Sequence, residues 1–136
     1  PVEKATAILD NGTARYPGCD ETGEGLMRFA SGAIGTLAAA WDDLANPVSL
    51  IISGTEAHAA IINGQLFFQC AKVQGADGKQ PWTQLPPGRP AGLDAFFDKL
   101  AGHDVPLVTA REAAYRSAVM EAMYAGAQKG KWVAPK

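Results

Sequence analysis

The sequence predicts an α+β fold, a mainly antiparallel open sheet of about six strands with helices packed on one face. Three features carry that expectation. Up to Cys70 the chain is a series of short apolar, β-branched runs bounded by turn residues. Each run is joined to the next by a short turn or loop and not by the long crossover that parallel pairing requires. The C-terminal part, in contrast, carries two stretches with helical spacing.

In chain order, Val2 to Leu9 alternates as a strand does, and Asp10-Asn11-Gly12 ends it with turn chemistry. Residues 11 to 24 form a Gly-, Pro- and acid-rich loop in which Asp20 and Glu21 are expected to face solvent. Leu26 to Ala30 and Ala33 to Trp41 flank Ser31-Gly32, the pattern of a hairpin with a two-residue turn. That closure would pair Phe29 with Ile34 and Leu26 with Leu37. Both sheet faces would then be apolar, with Arg28 the only charge. Val48 to Ser53 and Ala57 to Ile62 are joined through Gly54-Thr55-Glu56, and Asn63-Gly64, the strongest hairpin signal present, returns the chain into Gln65 to Cys70.

Residues 72 to 92, with four Gly and four Pro, are expected to be a long loop. Gly92 to Ala101 reads as a short helix burying Leu93, Phe96, Phe97 and Leu100. The last helix opens with a capping box, Thr109 with Glu112. Behind it, Tyr115, Ala118, Val119, Ala122, Met123 and Gly126 form one stripe, and Gly130 stops the helix.

With 136 residues there is room for a single domain spanning 1–136. Hydrophobic residues make up 47% and charged residues 19%, so the chain can bury a core and is not a disordered tail. Ala supplies 25 of the hydrophobic residues, which favours close backbone approach over bulky packing. A net charge of -2 with scattered Lys and Arg gives no field for nucleic acid. No apolar run reaches the ~20 residues of a membrane span. A soluble, cytoplasmic protein is expected, with an upstream export signal left open. The start at Pro1, running straight into a strand, reads as a piece cut from a longer protein. Cys19 and Cys70 are 51 positions apart and read as free thiols.

Few residues suggest chemistry. Gly23-Glu24-Gly25-Leu26-Met27-Arg28 begins like a dinucleotide fingerprint but lacks the third Gly, the preceding strand and the following helix. Gly75 to Lys79 is only a loose G-x-x-G-K in a loop. His58 and His103 have no second ligand at metal spacing, and no Ser lies in a nucleophile-elbow context. No catalytic, cofactor-binding or metal residue is therefore assigned. Asp42 and Asp43 follow Trp41 at the end of an apolar strand and open a turn ending at Asn46-Pro47. They are either turn formers or polar groups presented to a ligand at a strand end.

The run Phe29 to Leu37 leading to Trp41, then Ile51-Ile52-Ser53-Gly54-Thr55-Glu56, then Phe96-Phe97 to Gly102 and Pro106, then Ala110 to Val133, resembles the C-terminal domain of the glucose-fructose oxidoreductase, inositol dehydrogenase and MocA family. The resemblance implies a substrate-shaping and oligomerisation domain whose parent chain carries an N-terminal Rossmann domain binding NAD or NADP. It implies partners in that Rossmann domain, in a second copy meeting it through the sheet face as a homodimer or tetramer, and in a small sugar-like substrate. The family's catalytic lysine in an E-K-P motif and its D-x-x-x-H acid and histidine belong upstream. Glu3-Lys4-Ala5 lacks the proline and sits in a strand, with Lys4 expected to face solvent. This piece alone is thus expected to be inactive. Relatives place a substrate-facing side chain between the positions of Trp41 and Val48, and Asn46 stands where some have a tyrosine. Asp42 and Asn46 would hydrogen-bond hydroxyls, and Trp41 would either lie against a sugar face or belong to the core. The alternative is a stand-alone binding or oligomerisation module with no enzymatic parent.

Overall fold

Strands β1 (Val2–Asp10), β2 (Thr22–Phe29) and β3 (Ile34–Ala40) pair antiparallel in that order. β4 (Val48–Ser53), β5 (Ala57–Ile62), β6 (Gln65–Cys70) and β7 (Asp77–Pro81) form a second antiparallel sheet, also in chain order. Helices α1 (Gly92–Leu100) and α2 (Ala110–Lys129) follow. The computed structural model describes residues 1–89 and 91–136. The α+β class and antiparallel pairing are as the sequence predicts. All six expected strands are present, and the strands pair as two sheets of three and four. The chain divides into two units, Pro1–Asp42 with Ala91–Lys136, and Asp43–Pro90.

In the first unit α2 lies along β1. Ala5, Val119, Ala122 and Met123 form the buried cluster, with Val2, Ala7, Met27 and Val133 packed against it. The expected α2 stripe is the one that is buried, save that Tyr115 stays part-exposed and uses its hydroxyl to hold Val2, accepting from its N–H at 2.6 Å and donating to its C=O at 3.0 Å. The capping box is formed at Thr109 and Glu112, and Gly130 ends the helix in the left-handed region. Gly126 lets α2 sit against β1, because a Cβ there would come within 2.7 Å of the Thr6 Cα. The other edge of β1 is closed by Val133, whose N–H and C=O pair with Ala5 at 2.9 and 2.8 Å.

The first hairpin differs from expectation. Its loop has three residues, Ala30 to Gly32. Gly32 donates to Phe29 C=O at 2.9 Å with φ +89, a turn closed by a left-handed glycine. The register moves by one residue, pairing Arg28 with Ile34 and Leu26 with Thr36. A shift of one reassigns faces. Met27, Gly25 and Gly23 now share a face with Gly35, Leu37 and Ala39, and this face meets α2, since a Cβ on Gly25 would touch Met123 Sδ. Glu24 and Arg28 share the opposite face, so that side is not purely apolar. β2 also begins four residues before the predicted strand, where Gly25 pairs without presenting a side chain to α2 and Gly23 without crowding Leu9. Lys4, expected in solvent, is half-buried with its Nζ 5.5 Å from the Trp132 ring centroid.

α1 forms where predicted but faces the other way. Ala95 is buried, whereas Leu93, Phe96, Phe97 and Leu100 are exposed. Helical spacing identifies an apolar stripe and not what the stripe meets.

In the second unit Asn63 (φ +50) and Gly64 (φ +74) make the expected tight turn between β5 and β6. β7 lies within the segment expected to be a loop. Its sequence has no strand period, and it is held as an edge strand by backbone pairing of Gln69 with Asp77 and Phe67 with Pro81. Pro90, in the same expected loop, lies outside the described residues. The strand register puts Leu50, Ile52, Ala59, Ile61, Leu66 and Phe68 on one face. Trp82 packs edge-on against Phe68 at 5.6 Å between ring centroids.

Candidate ligand-binding site

Where β1 ends and β2 begins, residues 11 to 21 fold into a loop over the end of β3. Thr13, Arg15, Tyr16, Glu21, Trp41 and Asp42 line a cavity of about 200 Å³ there. A larger hollow of about 550 Å³ lies on α2 beside Arg116, Met120 and Tyr124. The smaller cavity is the better candidate, because Glu21, the buried charged side chain among the described residues, sits in its wall.

Glu21 corrects the expectation that the Asp20-Glu21 pair faces solvent: Asp20 is exposed, but Glu21 is only 5% exposed. One carboxylate oxygen accepts from Thr13 N–H at 2.7 Å. The other accepts from the Thr13 hydroxyl at 2.6 Å and from Arg15 N–H at 3.2 Å. Ala14, between these donors, takes a left-handed φ of +52. The Thr13 hydroxyl is the main influence holding the Glu21 carboxyl below the usual glutamate range. Burial opposes it, and the backbone donors of Thr13, Arg15 and Ala14 reinforce it. The main chain of Glu21 also ties two strands, its N–H donating to Asp10 C=O at 2.8 Å and its C=O accepting from Trp41 N–H at 3.1 Å.

The loop presents an aromatic wall. Tyr16 and Trp41 stack with centroids 5.7 Å apart and planes at 21°, and the Arg15 guanidinium lies 5.6 Å from the Tyr16 centroid. Trp41 Nε1–H donates to Asp20 C=O at 3.1 Å, and Asn11 Nδ2–H donates to Tyr16 C=O at 3.1 Å. Behind the wall, Tyr124 Oη–H donates to Asp20 Oδ2 at 3.0 Å. This bond, followed by burial and the Asp20 charge, raises the Tyr124 hydroxyl above the usual tyrosine range. A carboxylate at Asp42, a guanidinium at Arg15 and an exposed indole suit a small polyhydroxylated ligand. The apolar C–H face of such a ligand packs on the ring while its hydroxyls meet donors and acceptors.

The structure thus brings two of the three expected ligand residues, Trp41 and Asp42, to one cavity. Asn46 is exposed in the second unit. Sequence reasoning missed Thr13, Arg15, Tyr16 and Glu21. The available signal was the density of turn-forming and hydrogen-bonding residues from Asn11 to Glu21, which predicts an ordered loop without showing what it closes on.

The sequence matches, over residues 3–134, the family described as the oxidoreductase family, C-terminal alpha/beta domain. The chain belongs to that family, the glucose-fructose oxidoreductase, inositol dehydrogenase and MocA group. No curated protein sequence matches it. Solved structures share its fold. Levoglucosan dehydrogenase in complex with NADH and levoglucosan superposes with a TM-score of 0.75 at 20% identity, covering 99% of this chain and 45% of that one. The WlbA dehydrogenase from Bordetella pertussis, with NADH and UDP-GlcNAcA, gives 0.66 at 21% identity, covering 98% and 39%. Its Chromobacterium violaceum counterpart, in complex with the same two ligands, gives 0.71 at 19%, covering 98% and 40%. The chain spans less than half the length of these structures. No helix among the described residues is long and apolar enough to cross a membrane.

Proposed function

We propose that this chain is the substrate-shaping and self-associating C-terminal domain of a cytoplasmic NAD(P)-dependent oxidoreductase acting on a sugar, polyol or related small hydroxy compound. In this reading residues 1–136 act as one domain, the dinucleotide is held by a Rossmann domain elsewhere in the parent, and the isolated chain is inactive. The observation that carries the reading is the family match across residues 3–134. The Trp41 and Asp42 cavity supports the substrate class, as do the NADH and sugar-type ligands bound in solved structures that share the fold.

Titration calorimetry tests the division of labour, and steady-state kinetics test the site. The isolated chain should bind NADH and NADPH no more tightly than about 100 μM, or about -5.5 kcal/mol. Tighter binding would overturn the division of labour. In the full-length parent, Asp42→Ala and Asn46→Ala should each lower kcat/KM by the equivalent of about 0.5–1.5 kcal/mol, leaving cofactor affinity intact. Unchanged kcat/KM would remove both residues from the site.

Self-association is supported by the second unit's apolar sheet face, where Leu50 and Ile52 are 48% and 59% exposed. Apolar patches above a few hundred Å² are unusual on a soluble monomer. Light scattering should report a dimer or a multiple of it, and Ile52→Arg should give a folded monomer. A wild-type monomer at high concentration would sink this part.

A further inference from the structure

The geometry points to Glu21 as the positioning residue of the cavity: its side chain holds the backbone from Thr13 to Arg15, its main chain holds Asp10 and Trp41, and together these contacts set Arg15 and Tyr16 against Trp41 and Asp42. That the positioned groups bind a ligand rests on the function proposed above, whereas the clamp itself does not.

Beside Glu21 itself, two segments line the cavity: the loop at 13–16, and Trp41 and Asp42 just past β3. Glu21 is hydrogen-bonded to both, and also to Asp10 at the end of β1. The loop has little else to fix it. Thr13, Ala14, Arg15 and Tyr16 are all exposed, and outside the Glu21 bonds Tyr16 is held by Asn11 and Cys19, which bond its C=O. A left-handed Ala14 is unfavourable without compensation, and the converging donors on either side of it supply that compensation. The arrangement also demands a charged acceptor. Three donors meet two oxygens, so a glutamine of equal size would turn a donor toward a donor.

The test uses the whole chain and nitrogen-15 correlation spectra. In Glu21→Gln, amide exchange at Thr13 and Arg15 should accelerate about tenfold or more, and the Trp41 indole resonance should shift. Amides in the middle of α2 should stay put. On acidification of the wild type, the same three resonances should move together as Glu21 protonates, and the coupled movement should vanish in Glu21→Gln. That control matters because the Asp10, Asp20 and Asp42 carboxylates, the Arg15 guanidinium and the Tyr124 hydroxyl also lie around the loop. Should Glu21→Gln fail to fold, Thr13→Val removes the hydroxyl donor from an exposed site and should reproduce the Arg15 and Trp41 changes. A folded variant with an unmoved Trp41 indole and protected Arg15 amide would overturn the positioning role.

Levoglucosan and D-glucose serve as ligand probes. Wild-type Trp41 and Arg15 resonances should shift on titration, with affinity about fivefold weaker in Glu21→Gln. No shift with either sugar, alongside the loop changes, would defeat the binding reading and leave the clamp standing.

Discussion

The two units solve the same problem, a small antiparallel sheet with alanines along its strands, with different means. In the first, a 20-residue helix lies on the sheet, and Val119, Ala122 and Met123 are buried against Ala5. The second has no helix among its described residues, and only Ala60 and Ala76 are buried there. Every residue of β4 is exposed. A sheet covered by a helix gains its stability from side chains removed from water. One left uncovered depends on backbone pairing and on its tight turn at Asn63-Gly64. The difference extends to the surface: the covered unit orders a polar loop around Glu21, and the uncovered one retains apolar surface.

Substitutions can break this contrast. Met123→Ala should have the largest effect, about 3 kcal/mol of lost stability from a buried side chain and the cavity left behind. Hydrogen exchange read separately in β1 and in β5 would show the loss in the first unit; equal loss in both would mean that they unfold together. Gly126→Ala should cost about 1–2 kcal/mol, because the clash with Thr6 Cα outweighs the gain in helix propensity. A neutral result by urea denaturation would show that α2 can shift.

Thr109→Ala should cost about 1 kcal/mol by removing the helix cap. It should also change the acid limb of stability. The Thr109 N–H first, and its hydroxyl second, hold the Glu112 carboxyl below the usual range. A lowered folded-state value means that this contribution is present above the ordinary glutamate value of ~4.3 and fades as pH falls through the lowered one. The variant should therefore lose less on acidification than the wild type, measured by thermal melts between about pH 3 and pH 6. Ile52→Ala should matter least to the fold, below about 0.5 kcal/mol, as expected of an exposed side chain away from packing features. A loss of several times that size in a monomeric sample would show that β4 is better packed than its exposure implies.

The local elements were legible in the sequence because their causes are local. The capping box of Thr109 and Glu112, the Asn63-Gly64 turn and the α2 stripe each follow from residues within a few positions of one another. β7 was not legible, because an edge strand held by backbone bonds needs no side-chain period. Asp42 was named as a ligand candidate from its place at a strand end and Trp41 from the family resemblance, but the loop they meet was not foreseen.

What the sequence determined by itself was the class of fold, the order of the six principal strands and two helices, and membership of a family whose motifs run along most of the chain. The tertiary structure decided the one-residue register of the first hairpin, the outward face of α1 and the burial of Glu21. Each of these depends on which surfaces meet. A three-residue loop and a two-residue turn fit nearly the same letters, and an apolar stripe is the same stripe whether covered or bare. A glutamate in a polar loop becomes a clamp only when Thr13 and Arg15, eight and six residues away, turn their donors onto it. Spacing along a chain constrains local geometry, whereas burial and long-range hydrogen bonds arise from contacts that local spacing does not encode.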